Sequence, residues 1–194
     1  DGMYQIQDIS SMLAGEYTAP KAGDTIVDVC GAPGGKSINA ALKMSEQGDC
    51  GRVIARDLSD YKVALIDENI KRLNITNIQT QVYDALDCDE SLINKADIVI
   101  ADLPCSGLGI IGRKPDIKYN ASPEKLQSLV DLQRDILKVV SRYVKSGGVL
   151  MYSTCTINRA ENEDNADWIC KESGFTKDGE YHQLLPANNS GMDG

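Results

Sequence analysis

The chain has 194 residues, 42% of them hydrophobic and 25% charged, which is ordinary for one globular domain. Its 20 basic and 29 acidic side chains give a formal net charge of −9, and this charge excludes strong sequence-independent attraction to nucleic acid. Apolar runs such as Ala96 to Leu103 are interrupted by Asp and are too short to span a bilayer. We therefore expect no membrane association.

The cysteines indicate a reducing compartment. They lie far apart, form no C-x-x-C pair and have no histidine beside them, so we expect neither a metal site nor a disulfide framework. The chain opens without the basic and apolar stretches of a signal peptide. A cytoplasmic, monomeric protein is the prediction. The six cysteines are Cys30, Cys50, Cys88, Cys105, Cys155 and Cys170.

Apolar runs bounded by turn residues alternate with segments of helical period, which is typical of an α/β protein with a doubly wound, mostly parallel sheet. The predicted strands are Thr25–Val29, Arg52–Ala55, Ile78–Tyr83, Asp97–Ala101 and Val149–Tyr152. The predicted helices are Tyr61–Leu73, a long helix that starts at Ser122 and ends at Ser146-Gly147-Gly148, and a last helix near Ala160–Ser173. The polar tail Asn188–Gly194 is expected to be poorly ordered.

A glycine-rich turn, Asp28 to Ser37, follows the first predicted strand and precedes a helix. Glycines let a ligand approach the backbone, and the free N–H groups at the start of the helix face that ligand. The spacing fits neither the dinucleotide fingerprint nor a P-loop. Glycines alone also suit a plain strand-to-helix turn, but Pro33 between them favours a nucleotide-type site.

Two acidic residues follow the next two strands. Asp57 ends the second strand, where a carboxylate accepts hydrogen bonds from ribose hydroxyls. Asp84 follows the third strand, where it either meets an adenine amino group or caps a helix. By position alone the two alternatives for Asp84 stay open.

Two cysteine turns follow neighbouring strands. Asp102-Leu103-Pro104-Cys105 ends a buried strand, and Ser153-Thr154-Cys155 ends the strand predicted to lie beside it. The carboxyl ends of parallel strands share one edge of a sheet, so we expect both thiols to face one cleft. A lone cysteine is more often a small buried hydrophobe, and the thiols of Cys30, Cys50, Cys88 and Cys170 are assigned to packing.

In this order, the motifs resemble the RNA cytosine-C5 methyltransferase (NOL1/NOP2/Sun) family, in particular its bacterial Sun-type members that act on 16S ribosomal RNA. Gln7–Ser11 resembles the family's lead-in segment, Asp28–Lys36 its S-adenosylmethionine loop, Asp102–Gly107 its Asp-x-Pro-Cys motif and Ser153–Cys155 its Thr-Cys motif. The match covers nearly the whole chain. Arg113–Asp116 is similar to the family's Arg-His-Pro-Asp segment, with Lys for His.

The resemblance implies a Rossmann-like methyltransferase that uses S-adenosylmethionine to methylate C5 of a cytidine through a covalent Cys–C6 adduct. It implies Cys155 as the nucleophile, Cys105 as the residue that assists release and Asp102 as the partner of the cytosine edge. Lys36 either positions the substrate or is a solvated lysine. The cofactor-binding residues that it implies are Cys30, Gly31, Ala32, Pro33, Gly34, Gly35, Lys36, Asp57, Asp84 and Asp102.

The resemblance also implies that residues 1–194 are a catalytic fragment. Family members carry an N-terminal RNA-binding domain before the lead-in segment and an antiparallel strand after the point where this chain ends. We therefore expect weak RNA affinity from these residues alone. Six basic side chains either form a local phosphate-binding face or are solvated. They are Arg113, Lys114, Lys118, Arg134, Lys138 and Arg142.

Three other functions compete with this hypothesis. A methyltransferase acting on an exocyclic amine needs an Asn-Pro-Pro-type motif in place of Asp102–Cys105 and leaves Cys155 without a role. A silent cofactor- or RNA-binding module does not need two cysteines at strand ends. A redox role for the pair lacks the C-x-x-C geometry.

Overall fold

Five parallel strands form one sheet in the computed structural model, which describes residues 4–48 and 51–184. The order across the sheet is β3-β2-β1-β4-β5. β2 and β3 lie on one side of β1, and β4 and β5 lie on its other side, so the strand order reverses between β1 and β4. This is the arrangement of doubly wound nucleotide-binding folds. The strands are β1 Thr25–Asp28, β2 Arg52–Asp57, β3 Ile78–Val82, β4 Ala96–Asp102 and β5 Val144–Ser153.

α-Helices connect β1 to β2, β2 to β3 and β4 to β5, as expected for parallel strands, which need crossover connections. The connection from β3 to β4 contains only a short 3-10 turn at Glu90–Leu92. The long helix α5 starts at the hydroxyl of Ser122, which accepts from the Lys125 N–H, and has Pro at its first position. The helices are α1 Ile9–Thr18, α2 Gly35–Glu46, α3 Asp60–Leu73, α4 Ile117–Asn120, α5 Pro123–Val140 and α6 Glu163–Ser173.

The sheet buries both faces. Side chains of successive strand residues point to opposite faces, so Ile26 packs with Met44 of α2 while Val27 packs with Leu137 of α5. All four are fully buried. The predicted α/β class and doubly wound parallel sheet are confirmed.

The predicted end of the long helix is wrong. The helix stops at Val140, and Ser146-Gly147-Gly148 lies inside β5, where the register against β4 shifts. A Cβ at Gly148 would lie 2.8 Å from the carbonyl oxygen of Asp97. The glycines therefore allow an irregular close pairing of two strands, as at a bulge, and do not end a helix.

The helix α1 is not among the predicted helices, and the last helix differs from its predicted start. The lead-in segment forms α1, which begins at Ile9 and is capped by Asp8, whose Oδ1 accepts the Ser10 N–H at 2.9 Å. The last helix starts at Glu163, after a short 3-10 turn over Arg159–Glu161. The tail at 188–194 lies outside the described residues.

The carboxyl ends of the strands bring the sequence-predicted residues together at one edge of the sheet. The loop after Asp28 leaves β1, Asp57 ends β2, Asp84 follows β3 and Asp102 ends β4. Cys155 follows β5 by two residues. In doubly wound sheets this edge, at the point where the strand order reverses, is where ligands bind.

Candidate active site

The glycine loop after β1 is held tightly from both sides. The Gly31 N–H donates to the Arg56 carbonyl at 2.7 Å, and the Gly34 N–H donates to the Gly31 carbonyl at 2.6 Å. Gly34 has φ +104°, and a Cβ there would lie 3.2 Å from Cγ2 of Ile66. Only glycine suits this backbone and this close approach.

Asp28 lies beneath this loop and is 1% exposed. Its Oδ2 accepts the Ser37 hydroxyl at 2.6 Å, while its buried Oδ1 has no hydrogen-bond partner among the described residues. Burial raises the pKa of Asp28 to about 6, although the Ser37 hydrogen bond opposes this effect. The loop therefore contains one acceptor that is available to a donor of a ligand.

Asp57 fixes the loop from the neighbouring strand. Its Oδ2 accepts the Ala32 N–H at 3.1 Å and its Oδ1 accepts the Leu58 N–H at 2.8 Å. Lys62 lies 3.0 Å from Oδ1. A carboxylate has about four lone-pair sites, so room for another donor remains.

Asp84 lies at the same edge, and its strand β3 is separated from β4, the strand before Cys105, by β2 and β1. Its Oδ1 accepts the Leu86 N–H at 2.9 Å and so closes a turn, because no helix starts there. The helix-cap alternative is wrong. A contact of Asp84 with an adenine amino group stays a prediction.

Cys30 contributes to the loop through its backbone. Its half-buried thiol packs against the core cluster on the α5 side of the sheet. Burial raises the pKa of Cys30 to about 12, so the thiol stays protonated. The assignment of this thiol to packing agrees with its position. Cys50 lies outside the described residues.

Lys36 and Asp102 form an ion pair between the glycine loop and the end of β4. The Lys36 Nζ lies 2.6 Å from Asp102 Oδ2 and also donates to the Ser11 hydroxyl at 2.9 Å. The Ser153 hydroxyl donates to Asp102 Oδ1 at 2.7 Å. Lys36 is thus not a solvated lysine, since its ammonium joins α1, the loop and β4.

The two predicted thiols face each other. The Sγ atoms of Cys105 and Cys155 are 3.2 Å apart, and the Cys155 N–H points at the Cys105 sulfur, also at 3.2 Å. The expectation that the two thiols lie together is confirmed. The Leu103 N–H donates to the Ser153 carbonyl at 3.1 Å, which holds the two cysteine turns side by side.

The pKa values of the two thiols shift in opposite directions from that of an ordinary cysteine. A hydrogen bond from Cys105 lowers the pKa of Cys155, while the same contact and burial raise the pKa of Cys105. The direction of these two shifts favours Cys155 over Cys105 as the thiolate. The thiolate is the nucleophilic form of cysteine.

Glu161 is a buried carboxylate that joins both cysteine turns to α5. It is fully buried, and Oε2 accepts the Ser106 N–H at 2.8 Å and the Gln133 amide at 3.0 Å. Oε1 accepts the Asn158 amide at 3.0 Å, and the Tyr152 hydroxyl donates to the Glu161 carbonyl. Buried carboxylates are costly unless they are paired in this way.

The sequence gives few signals for these supporting residues. Ser11, Ser153 and Glu161 lie within or beside the recognised motifs, yet neither composition nor spacing shows what they contact. Gln133 is a polar position on the buried side of α5, and a polar residue on an apolar stripe is the signal that would have found it.

Four of the six basic side chains have contacts that show their surroundings. Arg134 Nε donates to the side-chain Oδ1 of Asn165 at 2.8 Å and covers the ring of Trp168, and Lys138 lies over the same ring. Arg113 and Lys114 instead line a groove beside Cys105. That the six side chains form one phosphate-binding face stays a prediction.

The loop fits S-adenosylmethionine. The buried Oδ1 of Asp28, which lacks a hydrogen-bond partner among the described residues, and the carboxylate of Asp57 are two acceptors at this loop that suit donor groups of the cofactor. The described residues include no cluster of metal-ligating side chains. None of the helices over 4–48 and 51–184 is long and apolar enough to cross a membrane.

Known proteins are similar to this chain in sequence and in fold. A family model described as 16S rRNA methyltransferase RsmB/F matches residues 16–182. A probable ribosomal RNA small subunit methyltransferase B from Bacillus subtilis (strain 168) is 42% identical over 96% of this chain and 41% of its own length. Ribosomal RNA small subunit methyltransferase F from Escherichia coli O157:H7 is 35% identical over 87% of the chain and 35% of its own length.

A solved structure has a similar fold. NSun6 from Pyrococcus horikoshii, solved with the S-adenosylmethionine analogue SFG, has a TM-score of 0.80 and 30% identity, over 99% of this chain and 48% of that one. The cofactor predicted from the motifs, S-adenosylmethionine, is confirmed at the level of the family. The chain spans 35–41% of the length of the curated relatives named above. By its family model and these identities, the chain belongs to the 16S rRNA methyltransferase RsmB/F family.

Proposed function

We propose that the protein transfers a methyl group from S-adenosylmethionine to C5 of a cytidine in 16S ribosomal RNA, through a covalent bond between Cys155 and C6 of the base. The observation that carries the proposal is the pair of thiols 3.2 Å apart beside an Asp102–Lys36 ion pair. Methylation of an exocyclic amine needs neither thiol.

Addition of Cys155 to the base solves a chemical problem. Cytosine C5 is a weak nucleophile, and attack of a thiolate on C6 moves the ring electrons so that C5 acts as an enamine carbon. The Cys105 hydrogen bond favours the thiolate on Cys155, which supports Cys155 as the attacking group. The bound S-adenosylmethionine supplies an electrophilic methyl group for C5.

In this proposal Asp102 holds the base. Its carboxylate lies between Lys36 and Ser153, at 2.6 and 2.7 Å, at the end of β4 just before Cys105. A fixed carboxylate accepts from the cytosine amino group and stabilises the ring when N3 is protonated during the addition. Lys36 fixes the direction of that carboxylate and the position of the glycine loop.

Release needs a second group. After methylation the C5 proton passes to a base, its electron pair re-forms the C5–C6 double bond, and the C6–S bond breaks so that Cys155 leaves as a thiolate. Cys105 assists this step, because its S–H lies next to the departing sulfur and its hydrogen bond stabilises the thiolate. A cytidine within a helix must be flipped out before C6 reaches Cys155.

Tritium release tests the proposal. The intact protein would be incubated with S-adenosylmethionine and 16S ribosomal RNA transcribed with [5-³H]cytidine, and tritium in water counted against methyl groups in RNA. We expect one tritium released for each methyl transferred, with both lost in Cys155→Ala and kept in Cys170→Ala. Methylation without tritium release would show transfer to another atom.

A further inference from the structure

A groove lies beside the cysteine pair, between residues 113–117 and the first two turns of α5. It encloses about 430 Å³, within the range of roughly 300–1,000 Å³ that is usual for small-ligand sites. Cys105 and Ser106 form one end of it. Whatever occupies the groove therefore sits next to a base held at the thiols.

The walls of the groove are mainly apolar. Leu126 and Leu129, three residues apart on α5, lie on one helix face, and Pro115 and Ile117 form the opposite wall. Ile117 also packs near Gly107, just after the Cys105 turn, where a Cβ would lie 3.0 Å from its Cδ1. Leu126, Leu129 and Ile117 are half-buried and Pro115 is exposed, so the groove offers an accessible apolar surface that suits a flat nucleobase.

The rim of the groove is cationic in a chain whose net charge is −9. Arg113, Lys114 and Lys125 line it, against the single carboxylate of Asp116. Arg113 is also paired with Asp8 at 3.0 Å, which ties the rim to the start of α1. This local excess of positive charge is complementary to the phosphates on either side of one nucleotide.

We propose that this groove binds the nucleotide directly next to the target cytidine, with its base between Pro115 and Leu126 and its phosphates on Lys114 and Lys125. The inference rests on the proposed RNA methylation and adds a site that holds the strand while the target is at Cys155. An acidic protein then gains RNA contacts only where the chemistry takes place.

The test uses an RNA fragment of 16S ribosomal RNA that the wild-type protein methylates, so a negative result cannot come from failure of the proposed function. Lys114→Gln and Lys125→Gln are compared with Lys71→Gln, the same charge change on α3, whose end lies at the opposite edge of the sheet. Methylation is measured at several salt concentrations to give kcat and KM for RNA.

We expect KM to rise several-fold in each groove variant with kcat within twofold, and the dependence of log affinity on log salt to flatten by ~0.7 for each lost phosphate contact. Lys71→Gln should match the wild type. Unchanged KM and salt dependence in both groove variants, an equal loss in Lys71→Gln, or a fall in kcat alone would each overturn the proposal.

A second experiment tests whether the base of the neighbouring nucleotide binds between the apolar walls. An abasic nucleotide is introduced on the 5′ side of the target in one RNA and on the 3′ side in another. For the wild-type protein, KM should rise for only one of these two RNAs. In Leu126→Ala, the KM values for that abasic RNA and for the normal RNA should differ much less. Equal KM for the abasic and normal RNAs at both sides would overturn the proposal even if the lysines mattered, since phosphate contacts alone do not require the apolar walls.

Discussion

At the residue scale, the central feature is how Cys105 acts on Cys155. The neighbouring thiol is the largest influence lowering the pKa of Cys155. In Cys105→Ala we therefore expect the pH at which Cys155 reaches half its maximal alkylation rate to rise. Iodoacetamide labelling with peptide mass spectrometry measures this, and Cys88→Ala is the control. A midpoint that is unchanged or lower would show that the hydrogen bond does not favour the thiolate.

Asp28 gives a pH-dependent prediction. Its pKa is raised from 3.8 to about 6, so the folded state binds the proton more tightly than the unfolded state. Ionised Asp28 thus lowers stability above pH 6, and this penalty disappears as the pH falls through 6 toward 4. Asp28→Asn should raise the free energy of unfolding at pH 8 by about 2–3 kcal/mol, and by less than about 1 kcal/mol at pH 4.

Urea denaturation of wild type and Asp28→Asn at both pH values measures this difference, and subtraction removes the contribution of all other carboxylates. Asn keeps the shape and the acceptor for the Ser37 hydroxyl. A variant equally stable or less stable at pH 8 would contradict the raised pKa and would point to a hidden partner for Oδ1.

Sequence reasoning finds the chemically conspicuous residues of the site. Cys105 and Cys155 stand out because each ends a predicted strand beside a polar turn, and their motifs resemble a known family. Glu161 is marked only by its place in the stretch after the Thr-Cys motif, and its contacts are not predictable because its partners Ser106 and Gln133 come from distant parts of the chain. Contacts of that kind depend on packing, which no local pattern encodes.

At the element scale, Glu161 couples the cysteine turns to α5. Glu161→Ala leaves the Ser106 N–H and the Gln133 amide without their acceptor in a buried place. Each unpaired buried donor costs roughly 1–3 kcal/mol, so we expect a loss of about 2–4 kcal/mol in the free energy of unfolding. Urea denaturation measures the loss, and Glu172→Ala, an exposed glutamate on α6, is the control.

The same variant should loosen Cys105 even where the protein stays folded, because the Ser106 N–H no longer anchors its turn. Alkylation of Cys105 should then accelerate relative to Cys170 under native conditions. A variant with wild-type stability and wild-type Cys105 labelling would show that Glu161 does not hold the turn.

The strands are predictable from apolar runs because a parallel sheet buries both faces and so selects continuous hydrophobic segments. The ends of the strands are less predictable. Val144–Gly148 continues a helical stripe and then presents glycines, which together predict a helix end, but tertiary pairing with β4 makes it strand. α1 has a weak amphipathic pattern, and its contacts with Lys36 and Arg113 become visible only in the fold.

At the scale of the whole molecule, cofactor binding should stabilise the fold. A ligand at 100 times its Kd contributes about 2.7 kcal/mol, and each kcal/mol shifts the Tm of a chain this long by roughly 2–4 °C. S-adenosylhomocysteine should therefore raise the Tm by about 5–10 °C. Asp57→Ala should reduce this shift and Asp131→Ala, an exposed control on α5, should not. An equal shift in Asp57→Ala would remove Asp57 from the cofactor site.

The central claim is that Cys155 attacks and Cys105 releases. A denaturing gel of the intact protein with 16S ribosomal RNA and S-adenosylmethionine tests it most directly, with wild type, Cys105→Ala, Cys155→Ala and the control Cys170→Ala side by side. A covalent RNA–protein band should accumulate in Cys105→Ala, where release is blocked, and be absent from Cys155→Ala. A band that persists in Cys155→Ala would reverse the two roles, and its absence from every variant would contradict covalent catalysis.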